Sequence, residues 1–359
     1  MTTYPVSAKK ILIIQFRQIG DVLLTTPAVK ALRDFYPDSE IWFFTEAGPA
    51  KILQGNPHID RIVIRQRKAR FRDNVALIRE LRKERFDLVI DFFCNGRSAW
   101  MSFLIGAAHR VAAAHRGRSF WYTDTPAIQT GIGYAAEDKL ALLRAIGIPG
   151  TLIPPVLHIP DESNAYIDTF FTQQKLDKTD AAGHAPIVTI DPTSRRQSRQ
   201  WIRERYVQLA DELFERHQAR SIFIWGPGER EMVDALIKQA RYPHLLACQT
   251  DLMQLAALIA KSDLHIGNCS APRHLAVAVR TPSLIVMGPT SAANWTYPSP
   301  QHRAMCGNVE CLECQKTECA THECMTALTV EMMADAAEEL LEQKITGEHN
   351  AATEKTIIS

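Results

Sequence analysis

A chain of 359 residues is longer than one ordinary core organises, which points to two domains. Its 46% hydrophobic and 23% charged residues are those of a soluble globular protein, and a net charge of +1 gives no reason to expect a nucleic-acid partner. No apolar run is long enough for a transmembrane helix, and the opening MTTYPVSAKKILIIQF lacks the layout of a signal peptide, so a cytoplasmic location is expected.

Strand-length apolar runs alternate with helical patterns. ILIIQF (11–16) leads into TTPAVKALRDFY, EIWFFTE (40–46) into GPAKILQGN, RIVIR (61–65) into FRDNVALIRELRKER, and FDLVIDFF (86–93) closes the set. This order predicts a parallel sheet with helices on both faces, because strands covered on both sides read as continuous apolar runs. A second set begins at APIVTIDP (185–192), followed by WIRERYVQLADELFER, SIFIWG (221–226), EREMVDALIKQA, DLMQLAALIAKS, DLHIGN, PRHLAVAVR and SLIVMGPT (283–290). Between the sets, IGIPGTLIPPVLHIPDE is rich in Pro and Gly, and QKLDKTDAAGHA (174–185) is polar. The expected organisation is an α/β protein with two doubly wound, Rossmann-like domains, 1–176 and 177–345, and an aperiodic, disordered tail at 346–359. Two such domains facing each other form a cleft, and their ligands bind outside the carboxyl ends of the strands.

Candidate chemistry lies in the loops at those ends. Asp21 follows the first strand, where an acid is either a helix cap or a general base. The turn has one glycine, Gly20, and lacks the G-x-G-x-x-G of a dinucleotide site, which disfavours a dehydrogenase. In the second set, DPTSRRQSRQW offers the hydroxyls of Thr193 and Ser194 and the cations Arg195, Arg196 and Arg199. That is either an anion site or a solvated basic loop. GPGERE brings Glu229 as an acceptor for ribose hydroxyls, GNCSAPRHLAVAV brings Ser270 and His274 to a helix start, and MGPTSAANW brings Gly288, Pro289 and Thr290.

As a set these loops resemble glycosyltransferase family 9, the lipopolysaccharide heptosyltransferases. The likeness runs in matching order from about residue 10 to 345: IGDVLLTTPAVKALRDFYPDSEIWFFTE at the start, then RQW, WGPGERE, NCSAPRHLAVAVRTP for a DSGPMHLAAALGTP pattern, and MGPTSAANW. The resemblance implies a GT-B fold and inverting transfer of a heptose from ADP-heptose to the lipopolysaccharide inner core. It implies Asp21 as the base. The acceptor side is expected at Gly20 and, independently of the resemblance, at CNGRSAW after the fourth strand, with Arg97 as its cation. Thr193, Ser194, Arg199, Glu229, Cys269, Ser270, His274, Gly288, Pro289 and Thr290 fall on the donor side. No metal cofactor is required where cations hold the diphosphate. The chain departs from the pattern at Cys269, which stands where the family has Asp, at Ala271 for Gly, and at Arg273 before the His. A thiol cannot accept several hydroxyl protons as a carboxylate does. A nucleotide-sugar-binding relative with lost or altered transfer is therefore the alternative.

Between Arg61 and Arg85 there are ten Lys or Arg and three acids. This is either a solvated helical face or an attraction to an anionic glycolipid acceptor, with transient contact to the inner membrane surface. Five cysteines, Cys306, Cys311, Cys314, Cys319 and Cys324, are spaced x4, x2, x4, x4. Eight cysteines in a cytosolic chain argue against a disulfide framework, and this run reads as free thiols or as a structural zinc or iron site.

Overall fold

The computed structural model describes residues 8–176 and 185–357, with side chains as far as 343. The chain divides into two compact units, Met1–His158 and Ile159–Ser359.

The first unit holds a five-stranded parallel sheet of β1 (Lys10–Ile14), β2 (Glu40–Glu46), β3 (Arg61–Arg65), β4 (Leu88–Asp91) and β5 (His109–Val111), in the order β3-β2-β1-β4-β5. The second unit holds six parallel strands: β6 (Ile187–Asp191), β7 (Arg220–Phe223), β8 (Leu245–Leu246), β9 (Leu264–Asn268), β10 (Ser283–Met287) and β11 (His302–Cys306). Their order is β11-β10-β9-β6-β7-β8. The central strands are buried on both faces, which is why their sequences are apolar without alternation.

In both sheets the chain starts at the centre, winds outward to one side, and returns to wind to the other. The direction reverses between β1 and β4 in the first sheet and between β6 and β9 in the second. At such a reversal the two loops leaving the strand ends diverge to opposite faces and open a crevice, the preferred ligand position of a doubly wound sheet.

The division at His158/Ile159 lies ahead of the boundary expected at 176/177. The reason is the helix Asp161–Gln173, which buries Ile167, Phe170 and Phe171 with Ala257 and Leu258 of the second unit. The polar stretch expected at the boundary lies partly outside the described residues, at 177–184. Of the span 346–359, expected as a disordered tail, residues 346–357 belong to the helix Val330–Ile357; residues 358–359, and the side chains of the whole span, lie outside the described residues. Among the described residues no helix is long and apolar enough to cross a membrane.

Candidate active site

In the first unit, the loop after β1 enters the short helix Ile19–Leu23, which carries Gly20 and Asp21. Asp21 is half-buried, and its Oδ2 accepts a hydrogen bond from the backbone N–H of Gln18 at 2.8 Å. This satisfies one of the free donors at the helix start and fixes the carboxylate's rotamer. Oδ1 accepts no hydrogen bond among the described residues. The half-buried ammonium of Lys139 lies within electrostatic reach: burial lowers its pKa, and the charges of Asp21 and then Asp138 oppose that shift.

Across the reversal, the loop after β4 leads into the helix Gly96–Ile105. Asn95 caps it by accepting from the N–H groups of Arg97 and Ser98, each at 2.9 Å. Arg97 is exposed at that helix start. Its charge reaches the buried Arg65, whose pKa is lowered by burial first and by Arg97 next; Arg65 is held by an ion pair to Glu46 at 3.0 Å.

In the second unit the loops converge on Asp191, the last residue of β6. Its Oδ1 accepts from the N–H of Thr193 at 3.2 Å and from the Thr193 hydroxyl at 3.1 Å, and its Oδ2 accepts from the Ser270 hydroxyl at 2.7 Å. Glu229 Oε2 lies 2.9 Å from the same Thr193 hydroxyl and accepts from the Gly226 N–H at 2.7 Å. Burial, aided by the charge of Glu229, pushes the Asp191 carboxyl up to about 6 against the pull of its hydrogen bonds. Asn268 joins the two sides of the reversal: its Oδ1 accepts from the Trp201 N–H at 2.9 Å, and its amide donates to the Thr193 carbonyl at 3.0 Å. Gly267 in β9 pairs with Asp191, and a Cβ there would come within 2.9 Å of the Asp191 Cβ. Only glycine lets the two strands bring these loops so close.

Thr193, Glu229 and Ser270 are thus one hydrogen-bonded group. Arg199 is half-buried; its pKa is lowered by burial, opposed by the charge of Cys269 and assisted by those of Arg196 and Arg273. Ser194 is turned to its own loop, its hydroxyl accepting from the Arg196 N–H at 3.3 Å. Arg195 and Arg196 are exposed. Cys269 is half-buried beside Arg273, whose Nη1 lies 3.4 Å from its Sγ. His274 is buried 6.0 Å from the Trp295 ring, and burial, then the charge of Arg273, lowers its pKa far below the usual imidazole range. It is a neutral side chain packed within the fold.

The loop after β10 serves packing first. The Gly288 carbonyl accepts from the Glu313 N–H at 2.8 Å and the Pro289 carbonyl from the Gln315 N–H at 2.7 Å, while the buried Thr290 hydroxyl has no partner among the described residues. The cysteine run is therefore attached to this loop. Cys324 is buried, Cys306 is half-buried at the end of β11, and Cys311, Cys314 and Cys319 are exposed. Among the described residues no three metal-ligating side chains gather at one point.

Sequence reasoning passes over Asp191, Asn268 and Lys139. The first two stand within the loops singled out above but look like ordinary loop polar residues. Their importance comes from the pairing of β6 with β9, which a local pattern does not reveal.

Residues 74–325 match the family model described as glycosyltransferase family 9 (heptosyltransferase). The chain is 27% identical over 288 residues to a lipopolysaccharide heptosyltransferase 3 of Escherichia coli, covering 77% of this chain and 82% of that protein. It superposes on the crystal structure of a glycosyl transferase family 9 protein from Veillonella parvula with a TM-score of 0.81, at 23% identity, covering 94% and 98% of the two chains. It also superposes on E. coli heptosyltransferase WaaC with ADP-2-deoxy-2-fluoro heptose, with a TM-score of 0.67 at 19% identity, covering 92% and 99%. The two parallel sheets are those of the GT-B fold seen in these structures.

Proposed function

The chain belongs to glycosyltransferase family 9, the heptosyltransferases, and from that premise we propose that it moves a heptose or a closely related sugar from an ADP-heptose-type donor to the lipopolysaccharide inner core or a similar lipid-linked acceptor. The observation that carries this reading is the assignment of the two sheet reversals. One presents a fixed carboxylate and an exposed cation, Asp21 and Arg97, and the other presents hydroxyls, an acceptor carboxylate and guanidinium groups.

In the reaction, an acceptor hydroxyl gives its proton to the free Oδ1 of Asp21 as its oxygen bonds to the anomeric carbon. The bond from that carbon to the diphosphate oxygen breaks, with inversion, and the leaving ADP carries the electron pair. Arg199 and the hydroxyls around Thr193 and Ser194 meet the charge that grows on the diphosphate, where fixed donors lower the barrier most. Glu229 takes the ribose hydroxyls. These cations and donors serve the departing diphosphate with no metal required of the protein.

The acceptor reading draws support from the loop before the helix Phe71–Lys83. Arg67, Lys68, Arg70 and Arg72 are exposed there around Phe71, which is 73% exposed. Cations flanking a protruding aromatic suit an anionic glycolipid and brief contact with the membrane face that displays it.

The experiment is Asp21→Asn assayed with ADP-heptose and a truncated core acceptor. The amide keeps an acceptor for the Gln18 N–H but cannot take a proton. The turnover rate should fall by about 10²–10⁴ with donor binding retained. A near wild-type rate would leave Asp21 as a helix cap alone. The replacement at Cys269 favours one other reading, a binding protein without turnover, and this predicts donor binding with no ADP release by the wild type.

A further inference from the structure

Two arginines are buried among the described residues, and they are treated differently. Arg65 is 3% exposed and ion-paired to Glu46, whereas Arg273 is 2% exposed and has no carboxylate within ion-pair distance. The hydrogen bonds of the Arg273 guanidinium run to Cys269 Sγ at 3.4 Å, Met287 Sδ at 3.3 Å and Thr296 Oγ1 at 3.2 Å. Two sulfurs and a hydroxyl are weak, neutral acceptors. A guanidinium held out of water without a counter-ion is a costly arrangement, retained where a counter-ion arrives with something else.

The surroundings add positive charge. Arg196 and Arg273 both act on Arg199, so three cations cluster at the reversal between β6 and β9. His265 and His302 next to Arg273 are kept neutral, pushed down to about 3 and about 4 by burial and then by its charge. Against the DSGPMHL pattern, CSAPRHL puts a thiol at 269 where an acid stands and a guanidinium at 273 where a thioether stands. The two changes shift this corner by two positive charges, while the nearby Asp191 carboxylate is bonded to Ser270 and Thr193 and, among the described residues, forms no ion pair with Arg273.

We infer that Arg273 binds an oxyanion of the donor substrate, in a subsite opened by the replacement of a carboxylate with Cys269. This rests on the donor reading of the second unit. The oxyanion is either the donor's diphosphate or a carboxylate on the transferred sugar, as in a uronic acid. With a carboxylate at 269, Arg273 would be neutralised from within and the subsite closed.

The test is calorimetric binding of adenosine, ADP, ADP-glucose and ADP-glucuronate to the full chain, as wild type, Arg273→Met and Cys269→Asp. If the diphosphate is the ligand, both variants lose tenfold or more in affinity for ADP and for both sugars, with adenosine unchanged. If a sugar carboxylate is the ligand, ADP and ADP-glucose bind all three proteins alike. ADP-glucuronate then binds the wild type more tightly than ADP-glucose and loses tenfold or more in the variants. Affinities within twofold of wild type for every ligand in both variants overturn the inference. Should Arg273→Met fail to fold, Cys269→Asp decides, because it supplies the missing counter-ion and should raise the melting temperature of the ligand-free protein. A wild type that binds no adenine nucleotide at all removes the donor reading itself, a result distinct from one in which binding is present and insensitive to both changes.

Discussion

Replacing Asp191 with asparagine removes a carboxylate that is 5% exposed and whose pKa burial pushes up to about 6. In an unfolded chain an aspartate titrates near 3.9, so the folded value is the higher one. Folding stability linked to this group is then fully present below about pH 4 and is lost as the pH rises through about 6, the reverse of a salt-bridged acid. A rise of about two pKa units is worth about 3 kcal/mol. The amide of Asp191→Asn would keep an oxygen for the Ser270 hydroxyl and would not titrate. The two proteins should be unfolded in urea at a series of pH values, and the difference between them followed, so that other titrating groups cancel. Wild type should lose about 3 kcal/mol relative to Asp191→Asn between about pH 4 and pH 7, with no change in the denaturant slope. The same carboxylate sits among the groups assigned to the diphosphate. ADP affinity should therefore fall over that pH window in wild type and change less in the variant. A stability difference that stays level across the window refutes the argument that Asp191 is held against its charge.

Gly288→Ala puts a Cβ at 2.7 Å from Cys324 Sγ and 2.8 Å from Met325 Cε, an overpacking that should cost about 1–3 kcal/mol in chemical denaturation. Cys324→Ala should recover part of that loss in a double-mutant cycle, and strictly additive effects would show that the two residues do not press on each other. For the cysteine run, brief native-state alkylation should modify Cys311, Cys314 and Cys319 and spare Cys324. Cys319 should lead, because N–H and hydroxyl donors to its sulfur lower its pKa. Zinc or iron at one equivalent in protein purified without chelator, with those three thiols protected, would reverse this expectation.

Most strands legible in the sequence are buried on both faces, and RIVIR, an edge strand with Arg61 and Ile64 exposed, is legible from its β-branched run alone. EIWFFTE and RIVIR have the same bounds in sequence and structure, and the runs at β1, β4, β6, β9 and β10 agree within a few residues. β5, β8 and β11 are not legible, because HRV, LL and HRAMC are short or polar edge strands whose identity comes from the neighbour they pair with. The domain boundary differs for a similar reason. DESNAYIDTFFTQ has a helical apolar stripe, but nothing local says which core receives Ile167, Phe170 and Phe171.

The same limit governs the candidate site. Residue types and loop order identify Thr193, Glu229 and Ser270 one at a time, while the carboxylate that joins them becomes visible only through the β6–β9 pairing. Asp21 shows the complementary case. The sequence leaves cap and base as alternatives, yet one oxygen bonded to the Gln18 N–H leaves the other available, so the two roles use different atoms of one carboxylate. Arg273 shows what motif matching alone passes over. By position it is one departure within a segment that otherwise follows the family pattern, but its 2% exposure and its sulfur partners turn that departure into an unbalanced buried charge. Family likeness carries over the placement of a loop. Whether the loop still accepts the same ligand depends on the charges it now holds, and those differ here by a thiol for an acid and a guanidinium for a thioether.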